Sequence, residues 1–190
     1  MKILVVGGGG REHAICWKLS NEKDVKEYVK SLDLNIGYIN FNFGNKILDI
    51  IISEKYQLCK DKGIRFDIVA DFSKLDFIDM MDLCVIFSNA LDNAIEAVQD
   101  YDLKNIWVEM REMTDIIHVA VKNNSRYYKQ EELIQLMGMG YSTKAQNRGI
   151  GLSKAKDILM EYECDLRIYC EENENTRIVF DFTIEKSQRT

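Results

Sequence analysis

Ser88-Asn89-Ala90-Leu91-Asp92-Asn93-Ala94-Ile95-Glu96-Ala97 is the stretch whose reading decides the fold. It lies within Asp76 to Gln99, where Leu83, Ile86, Ala90, Leu91, Ala94, Ile95 and Val98 recur at helical spacing. That period predicts one long amphipathic helix. Asn89 and Asn93 are four residues apart, so they share a face one turn from each other, with Glu96 on a nearby face. Two carboxamide oxygens placed this way can serve Mg²⁺ as neutral ligands. That ion prefers oxygen donors, keeps several waters and is shared with phosphate groups. An isolated Asn-x-x-x-Asn also fits an ordinary solvent-facing helix, so a second element is needed.

That element is Asn147-Arg148-Gly149-Ile150-Gly151-Leu152, about sixty residues downstream. It opens a predicted helix at Leu152 to Tyr162. A Gly-x-Gly turn at a helix start lets backbone amides approach an anion without Cβ clashes, and the helix dipole favours negative charge there. The two elements together are far more specific than either alone.

The surrounding chain supplies the frame. Ile47, Leu48, Ile51, Ile52, Leu58 and Cys59 mark an amphipathic helix that Lys62-Gly63 ends. Ile64, Phe66, Ile68 and Ala70 alternate with other residues and predict a strand. Strands are also expected at Asn105 to Met113 and at Ile116 to Lys122. Leu166, Ile168 and Cys170 then alternate on one arm of a terminal hairpin, Ile178, Phe180, Phe182 and Ile184 on the other, with Glu171 to Thr176 as the turn. Asn123 to Gly149 is polar and contains glycine; a connection that long is expected to be a functional lid. The order from Gly44 predicts an α/β sandwich: a mixed sheet with helices on one face.

Composition narrows the class. Of 190 residues, 46% are hydrophobic and 29% charged, the balance of a globular domain with a real core. Net charge is −6, which argues against a nucleic-acid surface. No apolar run is long enough to span a bilayer. The five cysteines form no Cys-x-x-Cys pair, so neither a disulfide framework nor a zinc site is expected.

The first residues read differently. Met1-Lys2-Ile3-Leu4-Val5-Val6 runs into Gly7 to Gly10 and then Arg11-Glu12-His13-Ala14-Ile15. This looks like the amino terminus of glycinamide ribonucleotide synthetase (phosphoribosylamine–glycine ligase), over about twenty residues. The third glycine of a dinucleotide fingerprint is absent, His13 standing in its place, so residues 1–23 are expected to be an appended segment. Residues 24–43, with Val25, Tyr28, Val29, Leu32, Ile36 and Ile39 at helical spacing, read as a helical stub and linker, and residues 44–187 as the main domain.

Ser88 to Ala97 resembles the N box of the gyrase–Hsp90–histidine kinase–MutL ATPase superfamily, and Arg148-Gly149-Ile150-Gly151-Leu152 resembles its second glycine box. With Gly44-Asn45-Lys46-Ile47-Leu48-Asp49 upstream, the wording is similar to that of Agr-type quorum-sensing histidine kinases. The resemblance implies a Bergerat-type two-layer sandwich that binds ATP and Mg²⁺. It assigns Mg²⁺ coordination to Asn93, a place near the phosphates to Asn89, and the triphosphate wrap to Gly149, Gly151 and Leu152. Val121-Lys122-Asn123-Asn124-Ser125 lies where the family has its first glycine box. Asn123 there replaces the adenine-reading Asp, and Ser125 the first Gly. A carboxamide oxygen can accept from an exocyclic amine but carries no charge. Thr143, Lys144 and Arg148 in the lid, with Arg126 and Lys129 before it, are candidates to neutralise phosphate charge.

The same resemblance implies transfer of the ATP γ-phosphate to a histidine. The chain has two histidines: His13, in the appended segment, and His118, mid-strand, where a structural role is expected. The phosphoacceptor is therefore expected on a separate dimerisation domain, with a response regulator reached indirectly and a possible homodimer through the helical stub. A cytoplasmic setting follows, inside a parent anchored in the plasma membrane. Two alternatives differ in class: a serine kinase of the same superfamily, and a non-enzymatic interaction module that holds no nucleotide.

Overall fold

The computed structural model describes residues 41–137, 150–171 and 177–185. The expected helix at Asp24 to Ile39, the appended segment, and lid residues 138–149 lie outside the described residues.

Helix α1 (Lys46–Asp61) begins where Asn45 caps it, the Asn45 side chain accepting from the Leu48 amide, and it buries Ile47, Leu48, Ile51, Ile52 and Cys59. Gly63, at φ +66°, takes the left-handed conformation that a non-glycine residue disfavours, and Ile64 N donates back to Cys59 O at 2.8 Å. Strand β1 (Arg65–Val69) follows. Helix α2 (Met80–Ala97) starts four residues later than the periodicity suggested. Asp79 caps it by accepting from Met81 N at 2.8 Å, and Phe72–Leu75 forms a separate 3₁₀ turn capped by Asp71. The periodicity places the start too early because Phe77 and Ile78 continue the apolar spacing ahead of Asp79, whose side-chain cap sets the true boundary.

β2 (Asn105–Glu112) and β3 (Ile116–Asn124) come next, then α3 (Gln130–Met137), α4 (Ile150–Glu161), β4 (Asp165–Glu171) and β5 (Arg177–Glu185). Strand β3 runs two residues past the expected end, so Asn123 and Asn124 belong to the sheet and not to the lid. α3 also occupies part of the stretch expected to be lid. Glu132 accepts from the Lys129 amide at 2.9 Å, the half of a capping box that fixes this helix start.

The five-stranded sheet has the order β1-β2-β3-β5-β4, with β1 and β2 parallel and the other pairs antiparallel. Register decides the layers. Phe66, Ile106, Asn123 and Ile178 share one row, and Ile68, Val108, Val121, Phe180 and Ile168 the next. Both rows face the helices and the core. The opposite face carries Glu109, Lys122, Glu171, Arg167 and His118. The architecture is thus the expected two-layer sandwich, a mixed sheet with its helices on one face. Aromatic rings step through the core from Phe43 to Phe72, Phe87 and Phe182, with centroids 5.3 to 6.2 Å apart.

On the open face, Asp181 is fully buried. It accepts from Arg167 Nε at 3.2 Å and lies 3.1 Å from Nε2 of His118. His118 is a partner of a buried carboxylate inside a strand, the structural role expected of it.

Candidate nucleotide site

α2 presents the asparagine pair in a defined orientation. Nδ2 of Asn89 donates to Val85 O at 2.7 Å, and Nδ2 of Asn93 donates to Asn89 O at 2.8 Å. Each carboxamide nitrogen is spent on the carbonyl one turn back, which turns each carboxamide oxygen away from that turn. Asn93 is exposed and Asn89 half-buried. The pair is therefore a set of neutral, hard oxygen donors one turn apart, chemistry that suits Mg²⁺. Among the described residues, no group of three or more His, Cys, Asp or Glu is placed to hold a metal ion.

The second element comes to the same place. A Cβ built on Gly151 would lie 2.5 Å from Oδ1 of Asn89 and 3.0 Å from its Cγ. Only a glycine lets the first turn of α4 rest on the Asn89 carboxamide. That turn carries no acidic residue of its own, which leaves the positive end of the helix dipole unopposed from within the turn. The far end of α4 is latched. Tyr162 Oη donates to Asp82 Oδ2 at 2.6 Å and accepts from Asp79 N at 3.1 Å. Burial, then the Asp82 hydrogen bond, pushes the Tyr162 phenol above its ordinary range. α4 is thus held along α2, with Gly151 over Asn89. Leu152 packs against the core.

The third element is the end of β3. Asn123 is buried on the helix-facing side, and its Nδ2 donates to Asn124 O at 2.9 Å. This leaves the carboxamide oxygen as its acceptor. Asn124 Oδ1 in turn accepts from Asn105 N at 2.9 Å, tying the end of β3 to the start of β2. Beyond it, Arg126 N donates to Tyr101 Oη at 2.9 Å, and its guanidinium stacks 3.9 Å over the Tyr128 ring while pairing with Glu132. Its Lys129 amide bond first, and Arg126 second, hold the Glu132 carboxyl below the usual range. Arg126 is committed to this corner, so its charge organises the turn. Lys144, Arg148, Gly149 and Thr143 lie outside the described residues.

The sequence reading passed over Lys55. It is 1% exposed, with Nζ 2.7 Å from Asp92 Oδ1 and 4.0 Å from Glu54 Oε1. The signal was present: Lys55 sits within the apolar stripe of α1, four after Ile51 and four before Cys59. A charged residue in such a stripe calls for a partner.

Residues 78–184 match the GHKL domain family. The catalytic domain of histidine kinase ThkA superposes with a TM-score of 0.60 at 23% identity, covering 80% of this chain and 97% of that one. ThkA in complex with the response regulator TrrA superposes with a TM-score of 0.54 at 18% identity, over 94% of this chain and 51% of that one. The sensor protein CitS of Bacillus subtilis (strain 168) is 31% identical over 84 residues, 44% of this chain and 16% of CitS. Residues 1–77 match the phosphoribosylglycinamide synthetase N domain. A phosphoribosylamine–glycine ligase of Fusobacterium nucleatum subsp. nucleatum is 41% identical over 66 residues, 30% of this chain and 15% of the ligase. The family match over residues 1–77 reaches past the first twenty residues into α1 and β1, which pack here as part of the sandwich. The chain thus spans about a sixth of each of these curated relatives. From the matched span and the N-box and glycine-box contact within it, this chain belongs to the GHKL domain family.

Proposed function

We propose that this chain is the ATP-binding catalytic domain of a two-component sensor histidine kinase, of the Agr-type quorum-sensing branch. The observation that carries the reading is the seating of Gly151 on Asn89, which brings the first turn of α4 to the asparagine face of α2. The Asn123 carboxamide oxygen accepts from the adenine exocyclic amine. Asn93 would hold Mg²⁺, with Asn89 near the phosphates one turn away, and the ion would supply positive charge against the triphosphate. Amides at Gly149, Gly151 and Leu152 bind the phosphate oxygens, and Lys144 and Arg148 add positive charge as the γ-phosphoryl group leaves. The acceptor is an imidazole nitrogen on a phosphoacceptor dimerisation domain, and a response regulator takes the group next. The domain boundaries at residues 23 and 43 belong to this reading, with residues 24–43 entering from the dimerisation region and able to pair two copies. So does a cytoplasmic position below a membrane-anchored parent. Among the described residues, no helix is long and apolar enough to cross a membrane.

The test supplies a phosphoacceptor hairpin in trans with labelled Mg-ATP. Acid-labile, base-stable label on its histidine, lost with Asn93→Ala, is the expected result. Acid-stable label on serine would assign the domain to the serine-kinase branch. No nucleotide binding at all would leave an interaction module.

A further inference from the structure

Lys55 has no role in the account above, yet its burial is unusual for its chemistry. Its stem crosses the α1–α2 interface beside Ile51, Ile52 and Cys59, all fully buried. Its ammonium meets Asp92 at 2.7 Å, and Glu54 stands off at 4.0 Å. Asp92 is the neighbour of Asn93 on α2, and its side chain is 41% exposed. One end of this ion pair is therefore sealed inside the domain, and the other borders the asparagine face.

This asymmetry fixes what Asp92 can do. If its carboxylate swung toward a cation at Asn93, a buried ammonium would be left without its close partner, and an uncompensated buried charge is strongly unfavourable. We infer that Lys55 is a positioning residue for the nucleotide site. It holds the Asp92 carboxylate out of the cation's coordination shell, so that the protein ligand is the neutral Asn93 oxygen and the Asp92 charge is kept off the phosphates. Asp92 has the charge to bind a divalent ion more tightly than Asn93 does. Free to do so, it would hold metal without nucleotide and repel the triphosphate. Held by Lys55, it makes cation binding depend on the nucleotide. α1 also begins at the capped turn that follows the chain's entry: Phe43 N donates to Asp49 Oδ1 at 2.7 Å, and Asn45 Nδ2 to Asp76 Oδ1 at 3.0 Å. The helix that carries Lys55 is therefore pinned at its start as well as by this pair.

The inference rests on the nucleotide reading and is tested beside it. The comparison uses wild type, Lys55→Met, and the double variant Lys55→Met/Asp92→Asn. Calorimetry measures Mg-ATP affinity and, separately, Mn²⁺ affinity without nucleotide; thermal melting runs in parallel. One unit of charge freed a few ångströms from the phosphates predicts about a tenfold loss of Mg-ATP affinity in Lys55→Met. Mn²⁺ binding without nucleotide should rise in that variant. The double variant removes the freed charge, so it should regain Mg-ATP affinity to within about threefold of wild type and lose the extra Mn²⁺ binding. A purely structural pair would lower the melting temperature of Lys55→Met without creating a metal site, and that pattern would overturn the proposal. Equal Mg-ATP binding by Lys55→Met and wild type would overturn it too. A wild type that binds no Mg-ATP would instead sink the nucleotide reading, and this proposal with it.

Discussion

Gly151 lies against Asn89 so closely that a Cβ on the glycine would sit 2.5 Å from the asparagine Oδ1. Two motifs about sixty residues apart in sequence meet at that contact. It brings the carboxamide face of α2 and the first turn of α4 to one place. It also gives Gly151 a role that helix propensity alone would not predict.

Alanine normally favours a helix over glycine by about 1 kcal/mol. Gly151→Ala is nevertheless expected to lower the melting temperature, because the new methyl must displace Asn89 or lift α4. Mg-ATP affinity should fall with it, by about tenfold or more, as the first turn moves off the phosphates. Melting curves and calorimetry on one preparation check both. A rise in melting temperature with unchanged affinity would remove the contact from the account.

Asn123 and Asn124 are neighbours with separable duties. Asn124→Ala removes the partner of the half-buried Asn105 amide and should cost about 1 kcal/mol in denaturant unfolding. Asn123→Ala should weaken ATP binding, whereas Asn123→Asp keeps an acceptor oxygen and should retain it. Competition between ATP and GTP reports whether Asn123 reads the base: preference for ATP should collapse in Asn123→Ala and survive in Asn123→Asp.

Tyr162 ties the end of α4 to the start of α2. Tyr162→Phe loses the hydrogen bonds to Asp82 and Asp79. A stability loss of about 1–2 kcal/mol is expected in urea unfolding. Mg-ATP affinity should change little, since Gly151 and Asn89 meet at the other end of α4. A large affinity loss with unchanged stability would contradict the assignment of Tyr162 as a latch.

The protein should be sensitive to alkali. Burial pushes the Cys59 thiol up from 9.0 to about 12 and the Cys164 thiol to about 11. Burial first, then a hydrogen bond to Asp181, pushes the Tyr169 phenol to about 12. Each folded-state value is raised, so each contribution to stability is complete below the unfolded value and is lost as pH climbs toward the folded one. The urea midpoint should be flat up to about pH 8 and fall steadily above about pH 9. A thiol reagent at neutral pH should reach Cys59, Cys84 and Cys164 only on unfolding, since all three are buried. A midpoint that holds steady above that range would contradict this.

Much of the frame was legible because its signals are local and periodic. The buried stripe of α2, the alternation in β4 and β5, and the glycine at the end of α1 each follow from backbone geometry acting over a few residues. Asn89 and Asn93 could be placed on one face for the same reason. What escaped depends on capping or on packing between distant segments. Asp79 starts the long helix four residues later than its apolar spacing suggests. Glu132 starts α3 in a stretch too polar to suggest one. Strand β3 reaches Asn124 because Ile106, Ile178 and Arg177 give it partners on both sides, which no local pattern announces. Lys55 could be seen as a charge in an apolar stripe, but its partner on α2 is fixed only by how the two helices pack.

The central claim is that the asparagine face of α2 and the glycine turn of α4 form one Mg-nucleotide site. Calorimetric titration of the protein with ATP and Mg²⁺, beside Asn93→Ala, tests it most directly. The account predicts saturable micromolar-to-millimolar binding that requires Mg²⁺ and is lost in the variant. A wild type that takes up no ATP, or a variant that binds as well as wild type, would contradict it.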